Sequence, residues 1–139
     1  MTKLATMTSV CPDWSLDQIV AGMKRHGYQG LEPRVEWGHA CGIESDLTAA
    51  ARTDVRSRFA DEGLSVCCIA SGVRMATPDV QERAGHVQDL RRYIELAADL
   101  GCPLIRTFGG PRDASALWAM VVDYTVEGYR EVLGDAESA

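Results

Sequence analysis

Apolar positions along the chain follow two periods that take turns. Short apolar runs at residues 4–7, 30–34, 64–70 and 103–108 have the length of strands. Each is followed by a longer segment in which apolar residues recur every three or four positions, the period of a helix with one buried face. In the first of these, Ser15 and Gln18 have the spacing of a capping box, Leu16, Ile19, Val20 and Met23 share a face, and Gly27 supplies the stop. The second runs from Thr48 to Gly63 with Ala51, Val55 and Phe59 as its inward stripe. The third is expected to open at Thr77-Pro78, with proline in the first helical position, and to bury Ala84, Val87, Ile94, Ala97 and Ala98 before Gly101. The fourth is expected to start near Asp113 and to bury Leu117, Met120, Val121, Tyr124 and Val132.

Strict alternation of this kind predicts an α/β fold with parallel strands and helices packed over them. Four successive βα units are half of a (β/α)8 barrel, and no fifth strand pattern follows within the 139 residues. The whole chain, 1–139, reads as one partial barrel domain, with no linker or low-complexity run. In such folds the functional groups gather at the carboxyl ends of the strands.

Composition narrows the function classes. With 46% hydrophobic and 24% charged residues the chain is an ordinary globular sequence. A formal charge of -6 disfavours broad binding to nucleic acid or to an anionic membrane surface, both of which require a basic face. The five cysteines are odd in number and form no C-x-x-C, and Cys67 and Cys68 are neighbours in an apolar strand. They read as small buried hydrophobes in a reducing compartment. The first residues lack the apolar core of a signal peptide and no stretch has the length of a membrane span, so the expected location is the cytoplasm, without membrane contact.

The candidate chemistry sits at the strand ends. Glu32 interrupts an apolar strand, and Arg34 lies two residues on, on the same side of a regular strand. A carboxylate and a guanidinium there can hold a polyol or an anionic substrate group; a structural ion pair is the competing reading. His39 falls in a long loop, residues 35–47, as a substrate contact or an ordinary loop histidine. Ser71 ends the third strand as a hydrogen-bonding group, without the G-x-S-x-G surroundings of a nucleophile. Arg106 stands in an apolar strand, and Gly109-Gly110 beyond it would let a ligand approach the backbone. Arg106 can also pair with Glu32 across the sheet. Because their strands are two units apart, contact through a loop or substrate is expected over a direct bond.

The runs G-Y-Q-G-L-E-P-R-V-E-W-G-H-A, C-I-A-S-G-V-R and Y-I-E-L-A-A-D-L-G-C-P-L-I-R-T-F-G-G resemble the sugar phosphate isomerase/epimerase group, the xylose-isomerase-like TIM barrels. The similarity extends over residues 3–134 and matches only the first half of those proteins. The resemblance implies a complete TIM barrel with a divalent metal (manganese, magnesium, zinc or cobalt) at its mouth. It also implies isomerisation or epimerisation of a small sugar or hydroxycarbonyl compound by proton or hydride movement. The usual metal ligands of the group lie at the ends of later strands, so no metal ligand is assigned here and the isolated chain is expected to be inactive. The endonuclease IV branch carries metal-binding histidines after its third and fourth strands, where this chain has Ser71 and Phe108-Gly109. The leading expectation is therefore the N-terminal half of a metal-dependent isomerase or epimerase, with Glu32, Arg34, His39, Ser71, Arg106, Gly109 and Gly110 in substrate binding. The other is a non-catalytic half-barrel that binds a small sugar or anion, or assembles as a homodimer. A complementary C-terminal half-barrel is the alternative partner.

Overall fold

A computed structural model describes residues 2–110 and 117–139. The strands are β1 (Ala5–Met7), β2 (Gly30–Glu32), β3 (Ser65–Val66), β4 (Ile69–Arg74) and β5 (Ile105–Phe108). Between and after them run α1 (Leu16–His26), α2 (Ala49–Asp61), α3 (Val80–Leu100) and α4 (Trp118–Ser138). All pairings are parallel: β1 with β2, β2 with β3, and β4 with β5.

The third strand, expected as one run over 64–70, is split into β3 and β4. Leu31 pairs with Val66 and Arg34 with Ala70, so the third strand holds one residue more than β2 over the same rise. The slip lies opposite Pro33, which has no N–H to give to the ladder. A one-residue slip of this kind is a bulge, and it re-aims the side chains beside it. Backbone bonds carry the sheet across the break: Cys67 N–H donates to the Leu31 carbonyl at 2.9 Å and Ala70 N–H to that of Pro33 at 2.9 Å. The strands thus follow one another in chain order, each beside its sequence neighbour. That is the order of one half of a (β/α)8 barrel rather than of a doubly wound sheet, whose strand order reverses.

Local signals set the helix ends. Ser15 and Gln18 form both bonds of the capping box, and Thr48 caps α2. Gly27, Gly63 and Gly101 follow three helices with φ near 70°, the left-handed region that glycine enters freely. The third helix corrects the expectation: Asp79, not Thr77, is its cap, with its carboxylate accepting from the N–H groups of Gln81 and Glu82, and Pro78 stands outside. A carboxylate that takes two N–H groups outcompetes the single hydroxyl of Thr77, which accepts from Asp79 N–H. Position 113, the expected start of α4, lies outside the described residues. Val121 and Val132 are buried as expected, whereas Leu117 and Met120 are exposed.

The core lies between sheet and helices. Leu31, Val35, Ile69 and Val73 from the strand segments pack with Val55 and Phe59 of α2 and Val87 and Leu96 of α3. Alternation along residues 31–35 places Leu31, Pro33 and Val35 on this covered side and leaves Glu32 and Arg34 half-buried on the other. Among the described residues no helix is long and apolar enough to cross a membrane.

Candidate functional site

The uncovered side of the sheet collects the charged strand-end residues. Register defines a row across three strands: Arg34 lies beside Ala70, and Ala70 beside Arg106. The smallest side chain of the row sits between two of the longest, which leaves room above the middle strand. Glu32 uses that room. Its Oε1 accepts from Arg106 Nε at 3.0 Å, a direct ion pair across the intervening strand. This corrects the expectation of contact through a loop or substrate, because Ala70 and the bulge bring together strands that are two units apart.

Arg106 is held from several sides. The Ser71 hydroxyl donates to the Arg106 carbonyl at 2.7 Å, and the Arg106 guanidinium lies 4.7 Å from the centre of the Phe108 ring. Ser71 itself is buried and its oxygen accepts from Val73 N–H at 3.4 Å. Its only proton is thus committed to Arg106, and its place is beneath that residue rather than at the open surface. Thr107, on the opposite face of β5, bonds the Tyr129 hydroxyl of α4 at 2.5 Å. Cys68 lies near the ion pair. Burial first, and then the Glu32 charge, push its thiol pKa above the ordinary value, which keeps it protonated.

Arg34 is arranged differently. Its guanidinium lies 3.3 Å from the centre of the Trp37 ring, and among the described residues it makes no ion pair. Its backbone N–H donates to the Thr8 hydroxyl at 2.9 Å, and the same hydroxyl is 2.7 Å from Nδ1 of His39. Thr8 follows β1 directly and is fully buried. One buried hydroxyl therefore ties the end of β1 to Arg34 and to His39. The sequence reading did not single out Thr8. Its only signal was a polar residue just past the first strand core, which is common in any β/α protein.

The loop from 35 to 47 is packed, not slack. Glu36 takes the left-handed conformation, with φ of 62°. Its N–H donates to the Glu44 carboxylate, and the Ser45 hydroxyl donates to the Glu36 carboxylate. Arg52 of α2 donates to the carbonyls of Leu47 at 2.9 Å and Ser45 at 2.6 Å, which fixes the far end. Burial pushes the Glu44 carboxyl pKa up, and the nearby Glu36 charge adds to the effect. At the other strand end the Gly109 carbonyl accepts from Ala76 N–H at 2.7 Å, and Gly110 has φ of 113°. Gly109 and Gly110 line a small apolar cavity of about 320 Å³ with Val121, Val122 and Val126 of α4. Among the described residues no three histidine, cysteine or acidic side chains converge to hold a metal ion.

Comparison with known proteins agrees with this architecture. Residues 20–138 match the family model of the xylose isomerase-like TIM barrel. No curated protein matches the chain. The fold superposes on D-psicose 3-epimerase in the presence of D-fructose with a TM-score of 0.74 and 17% identity, covering 99% of this chain and 49% of that one. For 3-keto-D-glucoside 4-epimerase, YcjR, from E. coli the values are 0.75 and 15%, with 99% and 53% covered. For the IolI protein with a binding zinc atom they are 0.76 and 14%, with 97% and 49% covered. The chain spans about half the length of each of these structures.

Proposed function

The chain belongs to the xylose isomerase-like TIM barrel family, and from that premise we propose that it is the N-terminal half of a sugar isomerase or epimerase. In this reading it forms the substrate-contacting wall of the barrel mouth. The observation that carries the proposal is the Glu32–Arg106 pair, set on the uncovered side of an in-order parallel sheet at the strand ends. Glu32 can accept hydroxyl protons from a sugar, and Arg106 keeps N–H groups beyond the one it gives to Glu32. Ser71 supports Arg106 from below, His39 presents its other ring nitrogen, and Gly109 and Gly110 border the far rim. The substrate is a small sugar or related hydroxycarbonyl compound.

A divalent metal, whether manganese, magnesium, zinc or cobalt, serves the assembled barrel in this proposal. The residues described here do not fit as its site, since no suitable cluster converges among them. Five free thiols suit a reducing cytoplasm.

A second reading, of association, rests on the exposed apolar residues at both flanks. Leu4 stands beside β1, and Leu104 and Phe108 are exposed at β5. On α4, Val122, Val126 and Leu133 are exposed along one side of the helix. Strand edges without a partner among the described residues, with apolar flanks of this kind, suit a second half, either a complementary C-terminal half-barrel or a second copy of this chain. The test is interconversion of hydroxycarbonyl sugars by the assembled barrel, followed by NMR with and without a chelator. Stereoisomers or aldose–ketose pairs that interconvert only with metal present are the expected result. An assembled, metal-loaded barrel inert toward a broad sugar panel would overturn the proposal.

A further inference from the structure

The two arginines of the Arg34–Ala70–Arg106 row differ in their partners, and that difference bears on the charge of the substrate. Arg106 is neutralised by Glu32. Arg34 keeps its full charge, because among the described residues it meets an aromatic face and no carboxylate. Arg34 is thus a local positive centre at a half-buried position, where an anion would gain a charge-assisted contact.

Geometry says where that anion would bind. Trp37 occupies one face of the guanidinium plane, at 3.3 Å. The N–H donors of arginine all lie in that plane and point along its edges, so stacking leaves them available. The backbone beneath is fixed by the bond from Arg34 N–H to the fully buried Thr8 hydroxyl. A stacked, braced guanidinium whose side-chain N–H groups have no partner among the described residues matches a planar or tetrahedral oxyanion in bidentate fashion.

We propose that Arg34 anchors a carboxylate or phosphate group carried by the substrate of this site. The inference rests on the reading of the strand ends as a substrate wall and adds the chemical class of what the wall holds. Glu32 and Arg106 then meet the hydroxyl portion of the molecule while Arg34 takes its charged end.

The test is titration of the full 139-residue chain, at constant ionic strength, with gluconate, glucose 6-phosphate and glucose, reading the Arg34 Nε–H resonance and the dissociation constants. Both anionic sugars, or the one whose oxyanion fits, are expected to shift that resonance saturably, and glucose to leave it in place. Tighter gluconate binding identifies a carboxylate, and tighter glucose 6-phosphate binding a phosphate. Arg34→Gln is expected to weaken the anionic sugar by about tenfold or more, and Arg34→Lys by less, since a point charge replaces the fork. Neither variant removes an ion pair among the described residues, so their urea midpoints provide the folding control. Anionic sugars bound equally well by wild type and Arg34→Gln would overturn the proposal, and if glucose also binds, the sugar-site reading survives it. A chain that binds none of the three probes would overturn both.

Discussion

The two sides of the sheet carry opposite kinds of residue at adjacent positions. Leu31 is fully buried against the helices, while its neighbour Glu32 reaches the uncovered side and pairs with Arg106. The same contrast recurs on the last strand, where Thr107 bonds Tyr129 of α4 and Arg106 and Phe108 face the other way. One face holds the fold together and the other presents polar groups. A change on the covered face should therefore act on stability, and a change on the uncovered face on binding.

The largest expected effect is on the covered face. Leu31→Ala should cost about 2–5 kcal/mol, because removing a fully buried side chain loses its transfer free energy and leaves a cavity. Leu104, 61% exposed just before β5, provides the contrast: Leu104→Ala should change stability by no more than about 0.5 kcal/mol. Urea unfolding of both variants measures this. Equal losses would break the distinction between the faces.

A smaller effect concerns the loop that joins the two sides. The Glu44 carboxyl has its pKa raised by burial, so the folded chain holds this proton to higher pH than the unfolded chain does. By linkage its contribution favours folding below the unfolded pKa and is lost as pH rises toward the folded one. Glu44→Gln should flatten that part of the stability profile, above the ordinary carboxyl range, as read from urea midpoints. A profile unchanged by the substitution would show that burial of Glu44 is relieved by water.

Another small effect belongs to Arg34. Its side chain has no ion pair among the described residues and one aromatic contact, so Arg34→Gln should move the urea midpoint little, by about 0.5–1 kcal/mol. A loss as large as that of Leu31→Ala would assign it to the structural side of the comparison.

Local features were legible in the sequence because they depend on neighbours along the chain. The capping box at Ser15, the cap at Thr48 and the closing glycines at positions 27, 63 and 101 all follow from nearby residues. The parallel in-order sheet followed from alternation. What escaped depends on pairing between distant segments. The split of the third strand arises from a register slip opposite Pro33, which no single strand's sequence reveals. Glu32 and Arg106 were identifiable as polar residues out of place, but their direct bond needed Ala70 as the intervening residue. The start of the third helix shifted to Asp79 because two possible caps stood close together and only geometry chose between them.

The central claim is that the Glu32–Arg106 pair serves the uncovered, substrate-facing side. The most direct measurement is turnover per folded molecule of Arg106→Lys in the assembled barrel, with its urea midpoint taken in parallel. Lysine preserves the charge beside Glu32 and removes the planar fork. The account predicts that turnover falls by about tenfold or more while the midpoint changes by less than about 1 kcal/mol. A loss of about 3–5 kcal/mol in stability with turnover per folded molecule unchanged would contradict it and make the pair a structural one.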